Sequence, residues 1–91
     1  MNYFVYMVIC ADRTIYTGYT TNLLKRVEQH NKGNQGARYT RTRRPVKLAY
    51  VEIFASQKDA MKREIAIKKL SKIQKQSLIE KYRKKQYNAA S

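Results

Sequence analysis

Residues 3–31, YFVYMVICADRTIYTGYTTNLLKRVEQHN, constrain the fold more than any other stretch. Tyr3–Cys10 is an unbroken apolar and aromatic run, rich in β-branched residues. At this length it fits a buried strand and is too short to cross a membrane. Ala11-Asp12-Arg13 is the first polar break. Thr14–Thr20 resumes with Ile15, Tyr16 and Tyr19, so a β-hairpin is expected. The loop length decides where the tyrosines point. A loop of Asp12-Arg13 alone puts Tyr6 and Tyr16 on opposite faces. An odd loop, Ala11-Asp12-Arg13, pairs residue 10 with 14 and 8 with 16, which sets Tyr6 and Tyr16 diagonally on one face. The break holds no Asn-Gly or Asp-Gly to force a two-residue turn, so the odd loop is preferred.

Gly18 closes the second strand, and a glycine there often marks a close approach of backbone to a ligand. Thr20, Thr21 and Asn22 offer capping chemistry for a helix over Asn22–Asn31 with an apolar stripe of Leu23, Leu24 and Val27. Arg26 and His30 lie four apart and share a face of it. Asn31–Pro45, NKGNQGARYTRTRRP, reads as a loop. Its Arg38, Arg41, Arg43 and Arg44 suit phosphates, and Tyr39 among them suits a stacked base.

Val46–Phe54 reads as a third strand with Val46, Leu48, Tyr50 and Phe54 on one side. Glu52 interrupts that side and is expected to pair with a nearby Lys or Arg. Ser56-Gln57-Lys58-Asp59 resembles a capping box and opens a second helix, with Ala60, Met61, Ile65 and Ile67 as its apolar side. Glu64 falls at or beside that stripe. A carboxylate there needs a partner, either a neighbouring base or a hard cation. Ser71-Lys72-Ile73-Gln74 is a second capping box and starts a third helix with a stripe of Ile73, Leu78, Ile79 and Tyr82. Residues 88–91 are expected to fray.

The 91 residues make one domain with a modest core. Twenty Lys and Arg stand against six acids, a formal charge of +14, and self-repulsion of that size points to a polyanionic partner. Nucleic acid is favoured over membrane, because no long basic helix with a bulky apolar face dominates and Trp is absent. The one cysteine, Cys10, lies inside the first strand and reads as a small buried hydrophobe. That usage and the lack of a signal-peptide pattern point to a reducing, cytoplasmic setting.

Phe4-Val5-Tyr6, Tyr16-Thr17-Gly18, Thr20, Asn22-Leu23 and Arg26, followed by Gln29-His30-Asn31, Gly36-Ala37 and Arg44-Pro45, resemble the GIY-YIG nuclease family. The likeness covers roughly residues 3–70. It extends to the small bacterial single-domain members and to the catalytic subunit of structure-specific endonucleases. Phe4 stands where the family has Gly and Thr17 where it has Ile; Tyr6, Tyr16 and Gly18 are kept. The resemblance implies a divalent-metal-dependent endonuclease that hydrolyses phosphodiester bonds in DNA, in repair or processing. Tyr6 or Tyr16 would take the proton of the attacking water, and Arg26 would bind the scissile phosphate. His30 would assist proton transfer or hold the tyrosine, and Glu64 would hold a single Mg²⁺ or Mn²⁺. Asn88 is a suggestive but distant counterpart of an asparagine that other members place near the metal.

The expected fold is therefore α+β: a three-stranded, mainly antiparallel sheet over 3–10, 14–20 and 46–54, flanked by three helices. Residues 1–82 form the GIY-YIG-like domain and 83–91 a basic tail. Gly18, Arg38, Tyr39, Arg41, Arg43 and Arg44 are the expected nucleic-acid contacts, with DNA favoured over RNA. A protein partner supplying target specificity is also expected. Two other readings share these residues. One is a nucleic-acid-binding module with little activity. The other is an accessory domain that docks on a larger repair or RNA complex.

Overall fold

In the computed structural model, which describes residues 1–33 and 38–90 with side chains as far as Tyr87, the hairpin closes on the odd loop. Gly36, Ala37, the side chain of Asn88 and Ser91 lie outside the described residues. Strand β1 (Tyr3–Ile9) pairs antiparallel with β2 (Ile15–Thr20), placing Val8 opposite Tyr16 and Tyr6 opposite Gly18. Cys10 N donates to Thr14 O at 2.9 Å, and Arg13 N to Cys10 O at 2.9 Å. Arg13 takes the left-handed conformation (φ 69°) that ends a three-residue hairpin loop. The Asp12 carboxylate accepts from Thr14 N and Oγ1 at 3.1 and 2.6 Å and holds the turn.

Strand β3 (Lys47–Phe54) pairs antiparallel with the other side of β1, giving the order β2-β1-β3. A bulge between the pairs Met7–Tyr50 and Val8–Leu48 breaks the alternation of β3. Val46 and Leu48 therefore do not share a face with Tyr50 and Phe54, contrary to the strict alternation expected from the sequence. Tyr50 packs with Val5 and Met7 on one face, while Val46 packs with Tyr6, Val8 and Cys10 on the other. Cys10 is buried, as expected of a small hydrophobe.

Among the described residues four helices flank the sheet: α1 (Leu23–Lys32), α2 (Arg38–Arg41), α3 (Gln57–Lys68) and α4 (Lys72–Ala90). Asn22 caps α1, its side chain accepting from Lys25 N at 3.1 Å. Ser56 caps α3, and Ser71 and Gln74 cap α4 reciprocally, as the sequence motifs predict. Helix α2 is the fourth helix, a single turn inside the segment read as loop. Helix α4 runs through residues 83–90, so helical structure continues where fraying was expected. On α3 the buried residues are Ala60 and Ile67, whereas Met61 and Ile65 are exposed; Ile73 on α4 is exposed too. Ala60, Ile67 and Ile79 cover the Val5–Met7 face of the sheet. Glu52 is paired as expected, with Arg63 Nε at 3.2 Å and the Tyr50 hydroxyl. No helix among the described residues is long and apolar enough to cross a membrane.

Candidate active site

The second sheet face carries the site. Because Val8 is opposite Tyr16, Tyr6 and Tyr16 project from it together, and His30 comes down on both from the last turn of α1. The Tyr6 hydroxyl lies 2.7 Å from His30 Nε2, and the Tyr16 ring meets the imidazole edge-on with centroids 5.1 Å apart. Arg26, one turn before His30, donates from Nε to the Tyr6 oxygen at 3.4 Å and from Nη1 to Gln29 Oε1 at 3.1 Å. Tyr6 and His30 are 1% and 0% exposed, so that end of the line is buried, while Arg26 is half-buried.

Gly18 makes room for it. A Cβ added there would stand 2.6 Å from the Tyr6 hydroxyl oxygen and 2.9 Å from Cζ, well inside contact distance. The group that comes close to Gly18 is the phenol of Tyr6, where the sequence pointed to a ligand.

Burial sets the protonation states. It pushes the Tyr6 phenol up to about 12, against the opposing pull of the Arg26 guanidinium. It pushes His30 down to about 4, helped by the charges of Arg26 and Arg44. At neutral pH the line is therefore Arg⁺, neutral phenol, neutral imidazole.

Helix α2 closes the site from the side. Thr40, fully buried, lies 2.7 Å from His30 Nδ1 through its Oγ1. Tyr39 stacks on Tyr16 with centroids 5.5 Å apart, and the Arg43 guanidinium sits 4.1 Å from the centre of the Tyr39 ring. Arg43 also pairs with Asp12 at 3.1 Å and accepts Ala11 N on its carbonyl at 2.9 Å, tying the hairpin tip to this segment. Thr40 is a site residue that sequence reasoning missed. A threonine in a basic stretch gives no sign of burial until the chain folds back on α1.

The predicted arginines separate into two groups. Arg38 and Arg41 stand exposed on α2. Arg44 turns inward, donating from Nε to the His30 carbonyl at 2.6 Å and from Nη2 to the carbonyls of Gln29, at 3.2 Å, and Gly33. It thereby caps the C-terminal end of α1 with a cation, where the free carbonyls and the helix dipole favour one. Asn31 fixes the entry to β3, its amide exchanging two hydrogen bonds with the backbone of Val46 at 3.1 and 2.7 Å.

Glu64 lies between Ala60 and Ile67 along the inner side of α3, its side chain 16% exposed, with Lys68 Nζ 3.5 Å away. Helix α3 packs on β1 and β2, and the Glu64 charge is felt at Tyr6, where it adds to the upward shift. The described residues hold no group of three or more His, Cys, Asp or Glu suited to a metal. One part-buried carboxylate with an exposed, displaceable lysine is the donor set on offer. It fits a hard cation that keeps most of its waters and takes phosphate oxygens from a substrate.

Residues 2–77 match the GIY-YIG catalytic domain. The chain is 53% identical over 77 residues to the UPF0213 protein DP2720 of Desulfotalea psychrophila, covering 85% of this chain and 70% of that one. It is 53% identical over 78 residues to the UPF0213 protein SH2523 of Staphylococcus haemolyticus, covering 86% and 94%. Among solved structures it resembles the solution structure of the protein EF2693 of E. faecalis, with a TM-score of 0.63 at 35% identity over 91% of this chain and 88% of that one. It also resembles the UPF0213 protein BH0048 of Bacillus halodurans, with a TM-score of 0.57 at 40% identity over 88% and 84%.

Proposed function

The chain belongs to the GIY-YIG family of nucleases, and on that premise we propose that it is a divalent-metal-dependent endonuclease cutting phosphodiester bonds in DNA, in repair or processing. The observation that carries this reading is the line Arg26–Tyr6–His30, a cation and two proton carriers in hydrogen-bonded order. Tyr6 is the general base in this scheme, because it is the motif tyrosine whose hydroxyl touches a proton acceptor. With the phenol raised to about 12 and the imidazole lowered to about 4, neither charged form is stored at neutral pH. The proton therefore moves as the water attacks: the water's proton goes to the Tyr6 oxygen while the Tyr6 proton passes to His30 Nε2. Arg26 holds the scissile phosphate. As its guanidinium turns to that phosphate, it uncovers the tyrosine oxygen. Tyr16 keeps the imidazole edge in place.

Glu64 is the proposed ligand of a single Mg²⁺ or Mn²⁺, which when bound supplies charge stabilisation for the leaving oxygen. Arg38 and Arg41 track the flanking phosphates, with Tyr39 and Arg43 at the rim of the site. Arg44 supports α1 rather than substrate. A partner protein supplying target choice belongs to the same reading.

A second reading, a nucleic-acid-binding module with little activity, is favoured by one observation. Tyr6 and His30 are almost fully buried and shifted against proton transfer. Cleavage assays on single-stranded, duplex and branched DNA and RNA, with Mg²⁺, Mn²⁺ or EDTA, separate the two. Metal-dependent cutting that is lost in Glu64→Ala and Tyr6→Phe, with binding retained, supports the nuclease. Salt-sensitive binding with no cutting of any substrate supports the module.

A further inference from the structure

The one proton of the Tyr6 hydroxyl gives the line a direction. Arginine carries donors only, so the Arg26 Nε–H points at the Tyr6 oxygen. The other partner of that hydroxyl is His30 Nε2 at 2.7 Å. If Nε2 carried a proton, two N–H groups would converge on one phenol oxygen, and the buried phenol proton would have no acceptor among the described residues. Tyr6 must therefore donate, and Nε2 is the bare nitrogen. In a neutral imidazole the proton then sits on Nδ1, which faces Thr40 Oγ1 at 2.7 Å. Thr40 is 0% exposed and reaches His30 from a separate element, α2.

We propose that Thr40 is a positioning residue that, together with the donating Tyr6 hydroxyl, holds His30 in its Nδ1–H form, so that Nε2 is free to take the proton of Tyr6. The role in the reaction rests on the nuclease reading; the tautomer itself does not. During attack the water's oxygen bonds to phosphorus and its proton goes to Tyr6, while the Tyr6 proton moves to Nε2. The resulting imidazolium keeps its Nδ1–H on Thr40 and returns a proton to solvent after the leaving oxygen departs. With Nε2–H at the start, that path is closed.

The chain has a single histidine, so ¹⁵N NMR of the imidazole reads the tautomer without ambiguity. The proteins compared are wild type, Thr40→Val, which keeps the shape without the hydroxyl, and Thr40→Ser, which keeps the hydroxyl. Nδ1–H is expected in wild type and in Thr40→Ser, with a shift towards Nε2–H in Thr40→Val. Cleavage by Thr40→Val should fall roughly tenfold or more with DNA affinity unchanged, and Thr40→Ser should restore most of it. Nε2–H in wild type, or an unchanged tautomer in a folded Thr40→Val, overturns the proposal; the wild-type spectrum decides even if that variant does not fold. A tautomer that responds as expected, with no cutting even by wild type, upholds Thr40 and removes the nuclease reading.

Discussion

At the scale of single residues, the site depends on a phenol that cannot move. Tyr6 is pinned by His30 and Arg26 and lies across the bare backbone of Gly18. Gly18→Ala puts a methyl 2.6 Å from the phenol oxygen, and the strand cannot yield without losing its pairing to β1. It should lower stability by about 1–3 kcal/mol, and cleavage by more than the lost stability explains. Thermal melts and cleavage rates on the same preparation check both. Thr17 is the opposite case: its hydroxyl is buried with no partner among the described residues. Thr17→Val should stabilise by about 1 kcal/mol in denaturant melts and leave the site untouched. His30 carries a pH signature. Its folded value of about 4 lies below the ordinary 6.5, so between those values the unfolded chain binds a proton that the folded chain refuses. Stability from this source is complete above pH 6.5 and falls as pH drops towards 4, by up to about 3 kcal/mol. Melting temperatures from pH 7.5 to 4.5 should fall steeply in wild type and much less in His30→Gln. Asp12, held below its usual range by the two Thr14 hydrogen bonds, titrates lower still and does not mimic the effect.

At the scale of elements, the frame is legible wherever a pattern is local. The apolar run of β1, the polar break and the lack of a two-residue turn signal were enough to set Val8 opposite Tyr16. Both tyrosines therefore face His30. The three capped helices begin where Asn22, Ser56 and Ser71 stand. Contacts between distant segments were not legible. Helix α2 has four residues, too few to form on propensity; Thr40 on His30 and Tyr39 on Tyr16 hold it. The bulge in β3 is equally silent in the residue pattern, and it misplaced Leu48. A run of arginines reads as phosphate-binding because charge is visible and direction is not. Arg44 points inward to three carbonyls at the end of α1, whereas Arg41 points outward. Arg44→Lys, which cannot span that fork, should destabilise the fold by about 2 kcal/mol in denaturant melts. Arg41→Ala should leave stability within about 0.5 kcal/mol and remove roughly one unit from the salt slope of DNA binding. The reverse pattern would make Arg44 the phosphate contact.

At the scale of the whole molecule, a charge of +14 on 91 residues acts on folding and on binding with opposite signs. Basic residues run along α3 and α4 as well as α2, from Lys58 and Lys62 through Lys68, Lys69 and Lys72 to Lys84 and Lys85, and most are exposed. Like charges at that density repel, and salt screens them, so the free protein should melt at a higher temperature as ionic strength rises. Nucleic acid does the same screening by binding, and in doing so releases its own counterions. Affinity for duplex DNA should therefore fall with salt, with log K against log salt sloping by about −0.9 for each phosphate neutralised. Arg26, Arg38 and Arg41 at the site, with at least one lysine from α3 or α4, set the expectation at about −3.6 or steeper. Fluorescence anisotropy on a short duplex between about 50 and 300 mM salt reads the slope, and a melt series over the same range reads the repulsion. A slope near −1 beside a melting temperature that still climbs with salt would make the charge incidental to nucleic acid and favour docking on an acidic protein partner. A steep slope that Glu64→Ala leaves unchanged would separate binding from cutting. The breadth of the charge would then serve to bring substrate to a site whose own reacting groups are few and buried.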